Sequence, residues 1–233
     1  MMKTNRGMLT AAAAAALLLG GCGIREAHIA MPGDLTAASE PLRLRGIGGG
    51  TRGSFDLEGA PGSFTRSAER LGIFDPLLVR NSGGGSFRLA GASGDLAGRC
   101  RFVEREVTIG NIAVTPDRLR FSCGFARDGR PTAAELVLED PKSAFGTVHG
   151  RSERRGILYF EGEEIEVRSI HRDQGGGLPA PHAIGYMFAQ DGREIGAVNL
   201  NGARTIYAPR DPRVREAVIA AGIALALFWD PAV

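Results

Sequence analysis

The chain is expected to be mainly β: a closed antiparallel barrel of about twelve strands wrapped around a hydrophobic helix at its C-terminus. Three observations lead there. From Ala217 to Trp229 no side chain is polar, and a helix apolar on every face has to be enclosed rather than half-exposed. Between Pro41 and Tyr207, short runs alternate apolar and polar residues, the period of a strand with one buried face. Those runs are separated by dipeptides that readily take positive φ, the chemistry of tight hairpins.

The first residues are read as a processing segment and set aside. Lys3 and Arg6 supply a positive start, Leu9 to Leu19 an apolar stretch, and Leu19-Gly20-Gly21-Cys22 closes it. That ending resembles the bacterial lipobox. The resemblance implies cleavage before Cys22, acylation of its thiol and new amino terminus, and lasting membrane attachment through several acyl chains. Gly23 stands where an aspartate would commonly mark retention at the inner membrane, so the periplasmic side of the outer membrane is the expected location. An ordinary exported protein with an incidental Cys22 is the other reading. Residues 1–21 are thus the leader, 22–40 a tether and 41–233 the domain.

Losing Lys3 and Arg6 lowers Lys+Arg from 28 to 26, against 26 Asp+Glu, so the mature chain is formally neutral. Nothing in that balance argues for nucleic acid. With Cys22 acylated, Cys100 and Cys123 remain as an even pair in a compartment that permits disulfides. Closing the loop between them would stabilise by roughly 3 kcal/mol on the chain-entropy model. The competing metal reading lacks further ligands at a usable spacing, because His28, His149, His171 and His182 are scattered. Neither a metal nor a cofactor is expected.

Ala27 to Glu40 is small, polar and broken by Pro and Gly, which suits a tether. From Pro41 the strand signal begins: Leu42 to Arg45, Ser54 to Glu58, Ser86 to Leu89, Arg118 to Phe125 and Glu135 to Glu139. Asp128-Gly129, Glu161-Gly162, Asp191-Gly192 and Asn201-Gly202 each lie between such runs. Phe64 to Val79 is the least regular stretch, and Ala68 to Phe74 is compatible with a helical turn before Pro76. No second helical pattern of any length is present, which argues against parallel βαβ architecture.

The last element has clear boundaries. Asp211 can cap a helix whose first position is Pro212, and Asp230-Pro231 ends it. Its 13 wholly apolar residues reach roughly 20 Å, short of the about 20 residues that a membrane span needs. A core role is expected, with peripheral docking on a membrane or partner as the alternative. A barrel of about twelve strands is too wide for its own side chains to fill, and an all-apolar helix is a suitable plug. This plan, with the ending from Ile184 to Asp230, resembles the tubby C-terminal-like domains, the group that includes LURP-one-related proteins and phospholipid scramblases. The resemblance implies a barrel around a C-terminal helix and a link to phosphoinositide or phospholipid binding. It assigns no binding residue in this chain.

Motifs for chemistry are few. Gly46 to Arg52 invites a phosphate-loop reading, but the next residues, Gly53 to Glu58, alternate like a strand instead of opening a helix, so a turn is expected. Gly83-Gly84-Gly85 and Gly175-Gly176-Gly177 are expected as loops on the same grounds. No Gly-x-Ser-x-Gly elbow occurs. Glu164 and Glu166 alternate onto one solvent-facing side, and no catalytic residue is assigned. Arg151, Arg154 and Arg155 make the densest basic spot, either a solvated tip with Glu153 as partner or a site for lipid headgroups or another anion. Phe228 and Trp229 are expected as core plugs. The expected function is that of a non-enzymatic, lipid-anchored envelope protein binding phospholipid or another amphiphile. A scaffold for a protein partner is the alternative, and a hydrolase assembled in three dimensions is less favoured.

Overall fold

A computed structural model describes residues 28–73, 78–91, 94–109, 112–141 and 152–231. Cys22 and Arg151 lie outside them. Twelve strands run β1 (Ser39–Arg45), β2 (Arg52–Leu57), β3 (Ala60–Ile73), β4 (Leu78–Leu89), β5 (Leu96–Ile109), β6 (Ile112–Arg127), β7 (Arg130–Glu139), β8 (Arg155–Phe160), β9 (Glu163–Ile170), β10 (Gly185–Gln190), β11 (Arg193–Asn199) and β12 (Thr205–Pro209). Each pairs antiparallel with its neighbours in sequence, and β1 pairs with β12, so the barrel closes without a free edge. A short helix α1 (Gly33–Ala38) precedes β1, and α2 (Pro212–Leu227) follows β12.

Helix α2 fills the barrel. It packs on β12, β5, β11, β4 and β8, hence on several sides of the wall, and Ala217, Val218, Ala220, Ala221, Ile223 and Ala224 are wholly buried. Small residues make this possible: a Cβ on Gly222 would sit 3.0 Å from the Ile206 side chain. The start is capped as the residue types require, with Asp211 Oδ1 accepting from the Arg213 N–H at 3.0 Å and Pro212 at the first position. Inward residues of the strands, such as Phe55, Phe87, Phe121, Leu136 and Ile165, complete one core with the helix. The outer wall carries exposed charge at Arg43, Arg99, Glu135, Glu164 and Glu166, and Arg120 pairs with Glu139 at 2.8 Å across it. A lipid-facing barrel has the opposite dressing, an apolar band outside. Among the described residues, no helix is long and apolar enough to cross a membrane.

The two ends differ. At one, tight hairpins turn at Glu58-Gly59, Asp128-Gly129, Glu161-Gly162 and Asp191-Gly192, each with φ of 48 to 50° followed by 73 to 92°, the positive pair a type I′ turn needs. Asn201-Gly202 departs from expectation. It belongs to a longer connection at the opposite end, where only the glycine has positive φ. That opposite end carries residues 46–51, 171–184 and 200–204 and receives the C-terminus of α2. There β3 to β6 outrun the rest: β7 stops where Glu139 meets Arg120, while β6 begins at Ile112. Eight further residues at about 3.3 Å each raise a wall on the order of 25 Å above that side of the rim.

Three expectations need correction. The irregular stretch from Phe64 is strand through Ile73, in register with β4 from Gly62–Leu89 to Ile73–Leu78, so there is no helical turn at Ala68. Gly83-Gly84-Gly85 is not a loop but the middle of β4. A Cβ on Gly83 would lie 2.2 Å from the Ser67 carbonyl oxygen and 2.7 Å from the Phe102 ring, so bare backbone lets Phe102 lie against the strand. The segment read as a tether is not free from residue 28 onward. Ile29 and Leu35 are buried against Ile184, Met187 and Ala197 on the outside of the barrel, which explains why β10 is buried on both faces. Ile29 and Leu35, with the partly buried Met31 and backbone hydrogen bonds from Ala30 to Arg172 and from Gln174 to His28, dock this strap, and the small, polar composition around them hides it.

Cys100 and Cys123 form a disulfide. They are direct partners in the β5–β6 ladder and both point into the core.

Candidate functional site

Helix α2 delivers Phe228, Trp229 and Asp230 to the loop-bearing end, and each is held by a different element. Phe228 stacks on Phe121 with centroids 4.4 Å apart and meets Phe102 edge-on at 5.6 Å. Trp229 lies under the Arg66 guanidinium, 4.2 Å from its ring centroid, a cation–π geometry. Asp230 takes a bidentate grip from Arg154, with Nε to Oδ2 at 2.9 Å and Nη2 to Oδ1 at 2.7 Å. Both guanidiniums sit beyond the helix C-terminus, where the axial dipole favours positive charge.

Above this plug opens a cavity of about 430 Å³. Phe102, Leu200, Leu225 and Phe228 give it an apolar floor, Trp229 stands at its side, and Glu69, Arg70, Asn81 and Asp230 contribute polar atoms. Residues of the tall β3–β4 wall face Ala183 and Tyr186 across it. An apolar floor with a few polar groups above it is the usual character of a small-ligand site. A second, wider groove lies at the tight-turn end; it is lined by charges of both signs, among them the pairs Arg168 with Glu194 and Arg213 with Asp211.

The electrostatics beneath the cavity are uneven. Burial pushes the carboxyls of Glu104 and Asp140 above their ordinary range; the Arg154 charge opposes this at both, and the Asn81 amide, donating to Glu104 at 3.1 Å, opposes it further there. Arg154 itself is 2 % exposed. Burial alone would lower its pKa, but its hydrogen bonds and ion pairs with Asp230 and Asp140 outweigh that and hold it above the usual value. The Tyr186 hydroxyl is pushed up by complete burial and by the Asp230 charge.

Arg154 is therefore not the exposed anion contact its sequence neighbourhood suggested. It faces inward and is spent on Asp140 and Asp230, whereas Arg155 is exposed with Glu153 at 3.8 Å. The pair does not converge on one site. The glycine run at 46–51 is also not a phosphate loop. Its carbonyls point at cations: Gly50 O accepts from Arg66 Nε at 2.9 Å, Gly48 O accepts from the same guanidinium, and Ile47 O accepts from Arg204. Burial lowers the pKa of both arginines, and the Arg204 charge adds to the effect on Arg66.

One pairing bears on hydrolysis. Ser169 Oγ lies 2.9 Å from His171 Nε2, and His171 Nδ1 reaches the Ala180 carbonyl at 3.0 Å. The serine also accepts from the Arg154 N–H at 3.0 Å, and neither residue lines the cavity. These bonds fasten the 171–184 connection to β9. Among the described residues, no group of three or more His, Cys, Asp or Glu could hold a metal.

Sequence reasoning passed over Arg66, Asn81, Glu104 and Asp140. A signal existed for two: Arg66 follows Phe64, and Glu104 follows Phe102, at the inward parity of their strands. Comparison with family models, with curated proteins and with solved structures found no match.

Proposed function

We propose that this is a lipid-anchored protein of the bacterial envelope that binds a phospholipid or a similar amphiphile in the cavity at the loop-bearing end, with no catalytic step. The cavity carries the reading. Phe102, Leu200, Leu225 and Phe228 offer a surface for an acyl segment, and Arg70 and Asn81 lie beside it where a headgroup would emerge. The anchor rests on Leu19-Gly20-Gly21-Cys22. The barrel wrapped around an apolar C-terminal helix supports a relationship to tubby C-terminal-like domains, which fits the ligand class.

Trp229, the single tryptophan of the chain, lines the cavity and reports on it directly. Titration with a lysophospholipid below its micellar range should shift Trp229 emission saturably, and native mass spectrometry should find lipid bound one to one. Ala183→Leu with Ala68→Leu, which fills the cavity, should abolish both signals. A flat titration with no co-purified lipid, together with a single protein crosslinked at this end, would favour the scaffold reading instead.

A further inference from the structure

The geometry points to a second ligand site at the loop-bearing end, where Arg66 and Arg204 together bind a tetrahedral dianion, the phosphate of a phosphomonoester. This site does not depend on the amphiphile reading.

The first observation is that the two cations are held without a countercharge. Arg66 is 7 % exposed. Its Nε donates to Gly50 O at 2.9 Å and its Nη2 to Gly48 O. Its guanidinium lies 4.2 Å from the ring centroid of Trp229 and 5.5 Å from that of Phe64. Arg204, half-buried, donates from Nη1 to Ile47 O. All of these partners are neutral, whereas buried charges are ordinarily paired. Arg154 at the same end shows the ordinary solution, with Asp140 and Asp230 on its donors. At Arg66 and Arg204 burial lowers the pKa, the Arg204 charge lowers that of Arg66 further, and no carboxylate opposes either effect. The chain around them agrees: neither 44–53 nor 200–210 contains an acidic residue. Glu69, the nearest acid along β3, has the strand parity opposite to Arg66.

The second observation is that the pair is close and its remaining donors are accessible. Ile47 and Gly48 are consecutive, so the guanidiniums are tied to adjacent peptide units, whose Cα atoms are about 3.8 Å apart. Two carbonyls and the face of Trp229 fix the plane of Arg66. Among the described residues, His182 Nδ1 and Asn199 Oδ1 are the buried side-chain polar atoms without a partner, so the donors left over on both arginines face water. The loop beside them is open: residues 48–50 are exposed, and a Cβ on Gly48 or Gly49 would meet nothing within 4 Å. Its carbonyls position the cations, and the cations bind the anion.

Charge and shape then select the ligand. Guanidiniums present forked N–H donors that match the oxygens of a phosphate. Two of them balance a dianion, while a monoanion leaves one charge uncompensated.

The test uses the full chain in chloride buffer with inorganic phosphate as the probe. Calorimetry should find saturable binding at one site per chain, and acetate at equal ionic strength should give none. With isotope-labelled arginine, phosphate should shift the Nε resonances of Arg66 and Arg204 and leave that of Arg154 in place. Arg204→Met should weaken phosphate at least about tenfold, the worth of one charge-assisted contact. If that variant does not fold, the resonances of the parent decide. Glycerol phosphate and dihexanoyl phosphatidate separate the sources of the group. Equal affinity for the two marks a soluble phosphomonoester, and a gain of at least about tenfold for the phosphatidate marks a headgroup whose chains reach the neighbouring cavity. The absence of saturable phosphate binding, resonances of Arg66 and Arg204 that stay fixed, or undiminished affinity in Arg204→Met overturns the site. Intact phosphate binding beside a flat lysophospholipid titration would remove the amphiphile reading alone.

Discussion

Arg154→Met removes the cation that grips both Asp140 and Asp230 while roughly preserving volume. The guanidinium is 2 % exposed, Asp230 10 % and Asp140 26 %, so the two carboxylates left behind are only partly hydrated. Removing one partner of a buried ion pair costs about 3–5 kcal/mol, chiefly through the uncompensated charge that remains. Against a total stability of about 5–15 kcal/mol, the urea midpoint should fall on the order of 1–2 M at neutral pH. The pH dependence carries the more specific test. Asp140 already has a folded-state pKa above its ordinary value through burial, and Arg154 is what restrains it. Without Arg154 the Asp140 value rises further, so the penalty is full above it and fades as acidification protonates that carboxyl. The gap between parent and variant should narrow as the pH falls through the raised Asp140 value, and adding Asp230→Asn should recover part of the loss at neutral pH. A loss below about 1 kcal/mol, or a gap that widens on acidification, would refute the argument.

Other perturbations probe the rest of the fold. Ala221→Asp places a charge where α2 is wholly enclosed and should cost several kcal/mol, so limited proteolysis should degrade the variant outright; parental resistance would mean the helix is not enclosed. Leu35→Ala removes the main apolar contact of the strap and should lower the unfolding free energy by about 2–3 kcal/mol. A true tether would show no change in urea melts. Glu104→Gln should act in the opposite direction at neutral pH. Burial raises the Glu104 pKa in the folded state, so the parent loses stability as pH rises from the ordinary carboxyl range through the raised value. The variant should be more stable than the parent at neutral pH and should lack that decline in a series of thermal melts.

What the linear sequence determined is what depends on period and local conformational preference. Alternation along Leu42 to Arg45 or Glu135 to Glu139 sets which face is buried, and Asp-Gly and Glu-Gly pairs supply the φ angles of the hairpins, so strand number and meander order could be read directly. An all-apolar run from Ala217 to Trp229 has no face to give to water, so its enclosure was equally legible, as was the pairing of Cys100 with Cys123. The site was not. Arg66 over Trp229, Arg154 between Asp140 and Asp230, and the strap holding Ile29 and Leu35 on β10 and β11 join residues far apart in the chain. Local sequence carries no information about which distant partner will satisfy an arginine. Arg154 and Arg155 are adjacent and chemically identical, yet one is interior and the other is in water. Strand parity and barrel closure decide between them, and both are properties of the assembled cylinder.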